Sequence, residues 1–246
     1  MSFFLKSYLC AMAQKKLYRF AQIKTFPNVL ETPQGMQGKW HAHFGNDNPI
    51  TLELACGRGE YTVGLASMYP TQNIIGVDIK GNRMYIGAKT ALEIPLPNAA
   101  FLRTQIEMIP SFFAPGEVDA IWITFPDPQL RTSKAKKRLT HPRFLRLYKQ
   151  ILKPDGIIHL KTDSPKLYGF TKRVAELYGL SIVADHTDIT QIEAIPELRI
   201  KTHYEKLDIA GRNTVHYLAF TLPDTIPDHD EALQEELKLT ENPETT

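Results

Sequence analysis

Short apolar runs that end on an acid or a glycine turn alternate along this chain with stretches of helical apolar spacing. Ile50–Leu54 is the first strand signal and is broken by Ala55-Cys56-Gly57-Arg58-Gly59, after which 61–68 carries a helix pattern. A second strand over 73–77 ends at Asp78, a helix follows over 81–92, and 99–102 reads as a third short strand. The apolar run 120–124 predicts a central buried strand, followed by a helix over 141–152 and a stop-and-turn at Lys153-Pro154-Asp155-Gly156. Strand 157–160 leads into Lys161-Thr162-Asp163, helical spacing resumes over 166–178, and 181–184 pairs with 215–221 as a closing hairpin-like unit.

This alternation predicts an α/β fold: a Rossmann-like, mostly parallel twisted sheet with helices on both faces and an antiparallel last strand. In such sheets ligands sit beyond the carboxyl ends of the strands, and Glu53, Asp78, Asp127 and Asp163 all fall at or near those ends. A lone acid there means little, whereas four on one rim point to a site. The long connection between the closing strands carries Lys201-Thr202-His203-Tyr204-Glu205, and a connection of that length is usually functional.

The densest chemistry lies between residues 118 and 143. Phe125-Pro126-Asp127-Pro128 ends the central strand, and prolines on both sides of Asp127 preset an extended turn that delivers one carboxylate to the rim. From Arg131 to Lys153 there are nine lysines and arginines and no acid. A rigid acid beside a mobile basic loop suits a nitrogenous base carried on a polyanion.

Charge sharpens this picture. The net charge of +2 divides into +9 on residues 1–223, of which +5 lies on 1–30, and −7 on 224–246. We therefore expect a basic arm over 1–30, one domain over 31–223 and an acidic, flexible tail over 224–246. No apolar run approaches the length of a membrane span, and two cysteines, Cys10 and Cys56, make no disulfide scaffold, so a cytoplasmic protein is expected. The first ten residues imitate a signal peptide only faintly, and Met12 is an alternative start. The histidines show no metal-ligand spacing.

Gly57-Arg58-Gly59 resembles a nucleotide loop, and Asp78, 19 residues after Gly59, is placed to accept ribose hydroxyls. Thr62 replaces the third glycine of a dinucleotide fingerprint, and Glu53 would repel a pyrophosphate. A cationic, phosphate-free cofactor such as S-adenosylmethionine fits these residues better.

The residues Leu52 to Gly59, Gly76-Val77-Asp78, Phe125-Pro126-Asp127-Pro128, Leu152 to Gly156, Thr162-Asp163 and Thr202 to Glu205 together resemble the bacterial tRNA (guanine-N7)-methyltransferases of the TrmB family. The resemblance spans nearly everything from residue 15 to 222. It implies a class I methyltransferase fold and transfer of a methyl group from S-adenosylmethionine to guanine N7 in the tRNA variable loop, at position 46. It also implies cofactor contacts at Glu53, Gly57, Asp78, Gln105 and Asp127, a catalytic role for Asp127, and substrate contacts at Arg131, Asp163, Thr202, His203, Tyr204 and Glu205. The partners implied are tRNA, no membrane and no metal, with the protein a monomer or homodimer. Ala55 departs from the family's first loop glycine, Gln105 from an acid or Asn, and Gln129-Leu130-Arg131 from a stretch that commonly carries Trp and Lys. A methyltransferase for small molecules or exocyclic amines, and a silent RNA-binding relative, are the rival readings. Amine methylation typically shows Asp/Asn-Pro-Pro-aromatic, which Pro126-Asp127-Pro128 does not match.

Overall fold

The structure is a computed structural model, and it describes residues 14–190, 192–207 and 214–241. The choice between Met1 and Met12, and Cys10, lie outside the described residues. Among the described residues the sheet has eight strands in the order β1-β4-β3-β2-β5-β6-β8-β7. Its strands are β1 (Val29–Glu31), β2 (Ile50–Leu54), β3 (Asn73–Asp78), β4 (Ala99–Arg103), β5 (Val118–Thr124), β6 (Leu152–Thr162), β7 (Ser181–His186) and β8 (His216–Thr221). All neighbours from β1 to β6 pair in parallel, and β8 runs antiparallel between β6 and β7. The expected architecture is therefore the observed one.

Strand alternation divides the interior into two cores. Leu52, Leu54, Ile75, Val77, Ile121 and Ile123 face one side, and Ile74, Phe101 and Trp122 the other. The helices α2 (Glu60–Met68) and α3 (Gly81–Glu93) cover the second side. The first is covered by α4 (Pro142–Lys149) and α5 (Pro165–Tyr178), and Trp40 of the short α1 (Trp40–Phe44) packs there against Phe113 with ring centroids 5.1 Å apart. Trp122 stacks on His159 at 4.1 Å. Both tryptophans are packing residues, as is the buried Cys56, whose thiol is pushed well up by burial.

Three expectations are corrected. Residues 14–23 are helical, Ile23 is fully buried and Val29–Glu31 pairs with β4, so the body begins before residue 31. The helix expected over 141–152 stops at Lys149, and the supposed turn at 153–156 lies inside β6, where a register shift against β5 between Val118 and Ala120 absorbs it. The acidic segment holds a helix, α7 (Asp230–Glu241). Leu233 of α7 is buried, Arg146 grips Asp230 with two hydrogen bonds of 2.9 and 3.0 Å, and Arg173 pairs with Glu236. These acids looked like a solvated tail because their cationic partners lie more than fifty residues away. Among the described residues no helix is long and apolar enough to cross a membrane.

Candidate active site

A cleft of about 760 Å³ opens at the carboxyl ends of the central strands. Gly57 and Ala55 from the loop after β2, Asp78 at the end of β3, Gln105 after β4, Asp127 after β5 and Asp163 after β6 all line it. These are neighbouring strands in the sheet, and their order reverses between β2 and β5, the place where open α/β sheets bind ligands.

The loop geometry follows from tight packing. A Cβ on Gly59 would lie 2.6 Å from the Phe101 ring, and one on Gly87 would lie 2.6 Å from the Arg58 carbonyl, so both glycines let α3 approach the loop. A Cβ on Gly76 would meet the Thr62 hydroxyl at 2.6 Å. The bulk that Thr62 adds where a dinucleotide fingerprint has glycine is accommodated by the glycine of β3. Ala55 adopts φ 57°, a left-handed conformation that costs a non-glycine residue roughly 1 kcal/mol.

Glu53 lies behind this loop rather than on the cleft wall. Its carboxylate is 2% exposed and accepts the Thr62 amide at 2.7 Å, the Thr62 hydroxyl and the Thr124 hydroxyl at 2.8 Å. Burial pushes its pKa up to about 7, against the opposing effect of those hydrogen bonds. Thr62 is the third residue of α2, so Glu53 occupies the anion slot at that helix N-terminus. A dinucleotide would place its pyrophosphate there. Glu53 thus excludes the phosphate, and the donor set suits a cationic, phosphate-free cofactor.

Asp78 accepts Gly57 N–H at 2.9 Å on one oxygen and Lys80 N–H at 2.8 Å on the other. Each oxygen keeps a lone pair, as a ribose diol requires. Ile79, nearly half exposed in the cleft, and Ile106 offer apolar contact beside it, with the Gln105 amide able to donate and accept at a base edge. The sequence reading missed Ile79, and its signal was an apolar residue directly after a strand-terminal acid.

Asp127 also lines the cleft and is exposed, its Oδ1 accepting Gln129 N–H at 3.0 Å. The turn is strained on both sides, because Phe125 and Gln129 have φ of 46° and 47°. With Ala55 they make three of the four left-handed non-glycine residues seen among the described residues, and strain of this kind concentrates at functional sites. Phe125 is held there by its N–H to the Lys161 carbonyl at 2.8 Å. Asp163 also faces the cleft. The α5 N-cap is Ser164, which accepts Leu167 N–H, so the Asp163 carboxylate is not committed to capping.

The Thr202 to Glu205 segment is not part of the cleft wall. Thr202 caps α6 (His203–Leu207) by accepting Glu205 N–H at 3.2 Å, which is half of a capping box. The Glu205 carboxylate turns instead to the fully buried Lys161 at 2.8 Å. Lys161 also donates to the carbonyls of Leu198 and Ile200, tying the long connection to β6. An exposed pair between Glu205 and Lys201 or Lys206 is therefore excluded. His203 is half-buried, and the Tyr204 side chain lies outside the described residues.

Arg131 is exposed at the start of the 3-10 segment Thr132–Lys137, and it does not line the cleft, whereas Lys137 and Arg143 do. The nine cations of 131–153 are not equivalent. Arg146, Lys149 and Lys153 pair with Asp230, Asp224 and Asp119, and Arg143 lies 3.6 Å from Glu107. Arg131, Lys134, Lys136 and Lys137 are exposed and show no ion pair among the described residues. Among the described residues no His/Cys/Asp/Glu group could hold a metal ion.

Residues 47–218 match the family model described as "Putative methyltransferase". A tRNA (guanine-N(7)-)-methyltransferase of Bacteroides thetaiotaomicron is 47% identical over 222 residues, covering 86% of this chain and 87% of that protein. The chain belongs to the tRNA (guanine-N(7)-)-methyltransferase family. The family's member from Porphyromonas gingivalis is 47% identical over 81% of this chain and 86% of its own, and that from Lactococcus lactis 33% over 72% and 82%. Among solved structures, the 16S rRNA methyltransferase KamB superposes with a TM-score of 0.57 at 17% identity, covering 81% of this chain and 99% of that one. A 30S ribosomal A1408 methyltransferase from an uncultured bacterium gives 0.55 at 16% identity, over 76% and 93%. These two establish a fold shared with rRNA methyltransferases.

Proposed function

We propose that this protein transfers a methyl group from S-adenosylmethionine to N7 of a guanine in tRNA, at position 46 of the variable loop. Support comes above all from one cleft lined both by a ribose-type carboxylate, Asp78, and by a second carboxylate, Asp127, held in a strained turn. Family membership supports the same reading.

When bound, S-adenosylmethionine supplies an electrophilic methyl group on a sulfonium. In this reading Asp78 holds the ribose hydroxyls, the Gln105 amide meets the adenine edge, and Ile79 and Ile106 flank the base. Glu53 acts from behind, bracing the loop through Thr62 and giving the cofactor end a negative potential once ionised. Guanine N7 has an in-plane lone pair and no proton, so no base is needed to create the nucleophile, and rate depends on positioning. Methylation leaves the imidazole ring cationic. The Asp127 carboxylate stabilises that charge more than the neutral ground state, which is the requirement for lowering the barrier. Asp163 accepts from guanine N1 and N2, an edge adenine cannot match. The exposed Arg131, Lys134, Lys136 and Lys137 hold phosphates beside the cleft.

The assay is incubation with unmodified bulk tRNA and methyl-labelled cofactor, followed by mapping of the product. A 7-methylguanosine in the variable loop is the expected result, and label confined to an exocyclic amine or to adenosine would refute the reading.

A further inference from the structure

Arg138 belongs to the basic run, yet it is only 5% exposed and does not face solvent. Its Nε and Nη2 both donate to the Gln129 carbonyl, at 3.2 and 3.0 Å. The guanidinium lies over the Phe170 ring at 4.4 Å, and Phe170 is a buried residue of α5. Residues next to Arg138 fasten the same stretch to that helix: Thr140 and Thr171 hydrogen-bond at 2.8 Å, both fully buried.

Gln129 is the left-handed residue that follows Asp127-Pro128, and its N–H is the donor to Asp127 Oδ1. One residue therefore bonds the carboxylate through its N–H, while its carbonyl, in the next peptide unit across its left-handed φ, is held by Arg138. A left-handed glutamine is unfavourable in isolation and persists only where neighbours over-determine it. Two donors on one carbonyl, stacked on a buried ring, supply that determination.

We propose that Arg138 is a positioning residue for the methyl transfer: it clamps the Gln129 peptide and so fixes the aim of Asp127, and it contacts no tRNA phosphate. The proposal rests on the role given to Asp127 above. It also implies that Arg138 closes the base of the loop whose tip carries Lys134, Lys136 and Lys137. Lysine cannot replace it, having one compact donor head where the fork makes two bonds and stacks.

The test is a double-mutant cycle on the single-turnover methylation rate with saturating tRNA and cofactor, using Arg138→Lys, Asp127→Asn and the double variant. Arg138→Lys is expected to slow transfer tenfold or more, while the tRNA dissociation constant and its salt slope stay at wild-type values. On the Asp127→Asn background it should cost less than twofold more. Multiplicative losses in the double variant would overturn the proposal, as would an unchanged rate in Arg138→Lys or a salt slope reduced by about one. An Asp127→Asn enzyme with the wild-type rate would instead remove the reading beneath it. Should Arg138→Lys not fold, Phe170→Leu takes its place in the same cycle, with a smaller loss and the same non-additivity expected.

Discussion

Glu53 accepts the Thr62 amide N–H at 2.7 Å, and that bond places a buried carboxylate in the helix N-terminal slot where a dinucleotide-binding protein receives phosphate. One side chain thereby changes which cofactor this type of sheet can hold. The neighbouring Gly76 makes it possible, since any Cβ there would displace the Thr62 hydroxyl that also serves Glu53.

The first prediction concerns Glu53→Gln. Burial raises the folded-state pKa to about 7 from the ordinary 4.5, so the folded protein holds this proton where the unfolded chain has lost it. The resulting stability is fully present below about pH 4.5 and is lost as pH rises through 7. The stability difference between wild type and Glu53→Gln should shift by about 3 kcal/mol against wild type between pH 4.5 and 7.5. Denaturant unfolding of both proteins across that range measures it, and a flat difference refutes it.

Ala55→Gly should stabilise the protein by about 0.5–1 kcal/mol, because φ 57° costs alanine more than glycine loses in unfolded-state entropy. Thermal or denaturant unfolding with and without S-adenosylhomocysteine checks both this gain and whether the looser loop weakens cofactor binding.

Lys136→Ala with Lys137→Ala should weaken tRNA binding and lower the slope of log K against log salt by about 1–2, since both side chains are exposed without ion pairs among the described residues. Arg146→Ala should leave that slope unchanged and instead loosen α7, because its guanidinium is committed to Asp230. Binding titrations at several salt concentrations separate the two.

Much of this architecture is legible in the sequence because it is local. The apolar runs of β2, β3 and β5, each followed by a glycine or acid, fix the rim, and the prolines around Asp127 fix the turn. What is not legible locally depends on distant partners. Glu205 has lysines on either side along the chain and yet pairs with Lys161, 44 residues away. The acids of α7 look like a solvated tail until Arg146 and Arg173 are brought to them, although Leu233 and Leu237 at helical spacing were a usable signal. Lys-Pro-Asp-Gly at 153–156 spells a turn, and only the register shift against β5 reveals a strand. Arg138 looks like one more phosphate hook in a basic run, and its burial against Phe170 appears only in three dimensions.

The central claim is that Asp127 stabilises the positive charge developing on a tRNA guanine in this cleft. Its most direct test is the single-turnover methylation rate of Asp127→Asn on unmodified tRNA, with unfolding midpoint and S-adenosylhomocysteine affinity measured alongside. The expected result is a rate at least about 100-fold below wild type, the scale of losing one preorganised electrostatic contact, with midpoint and affinity little changed. A rate within threefold of wild type would contradict it.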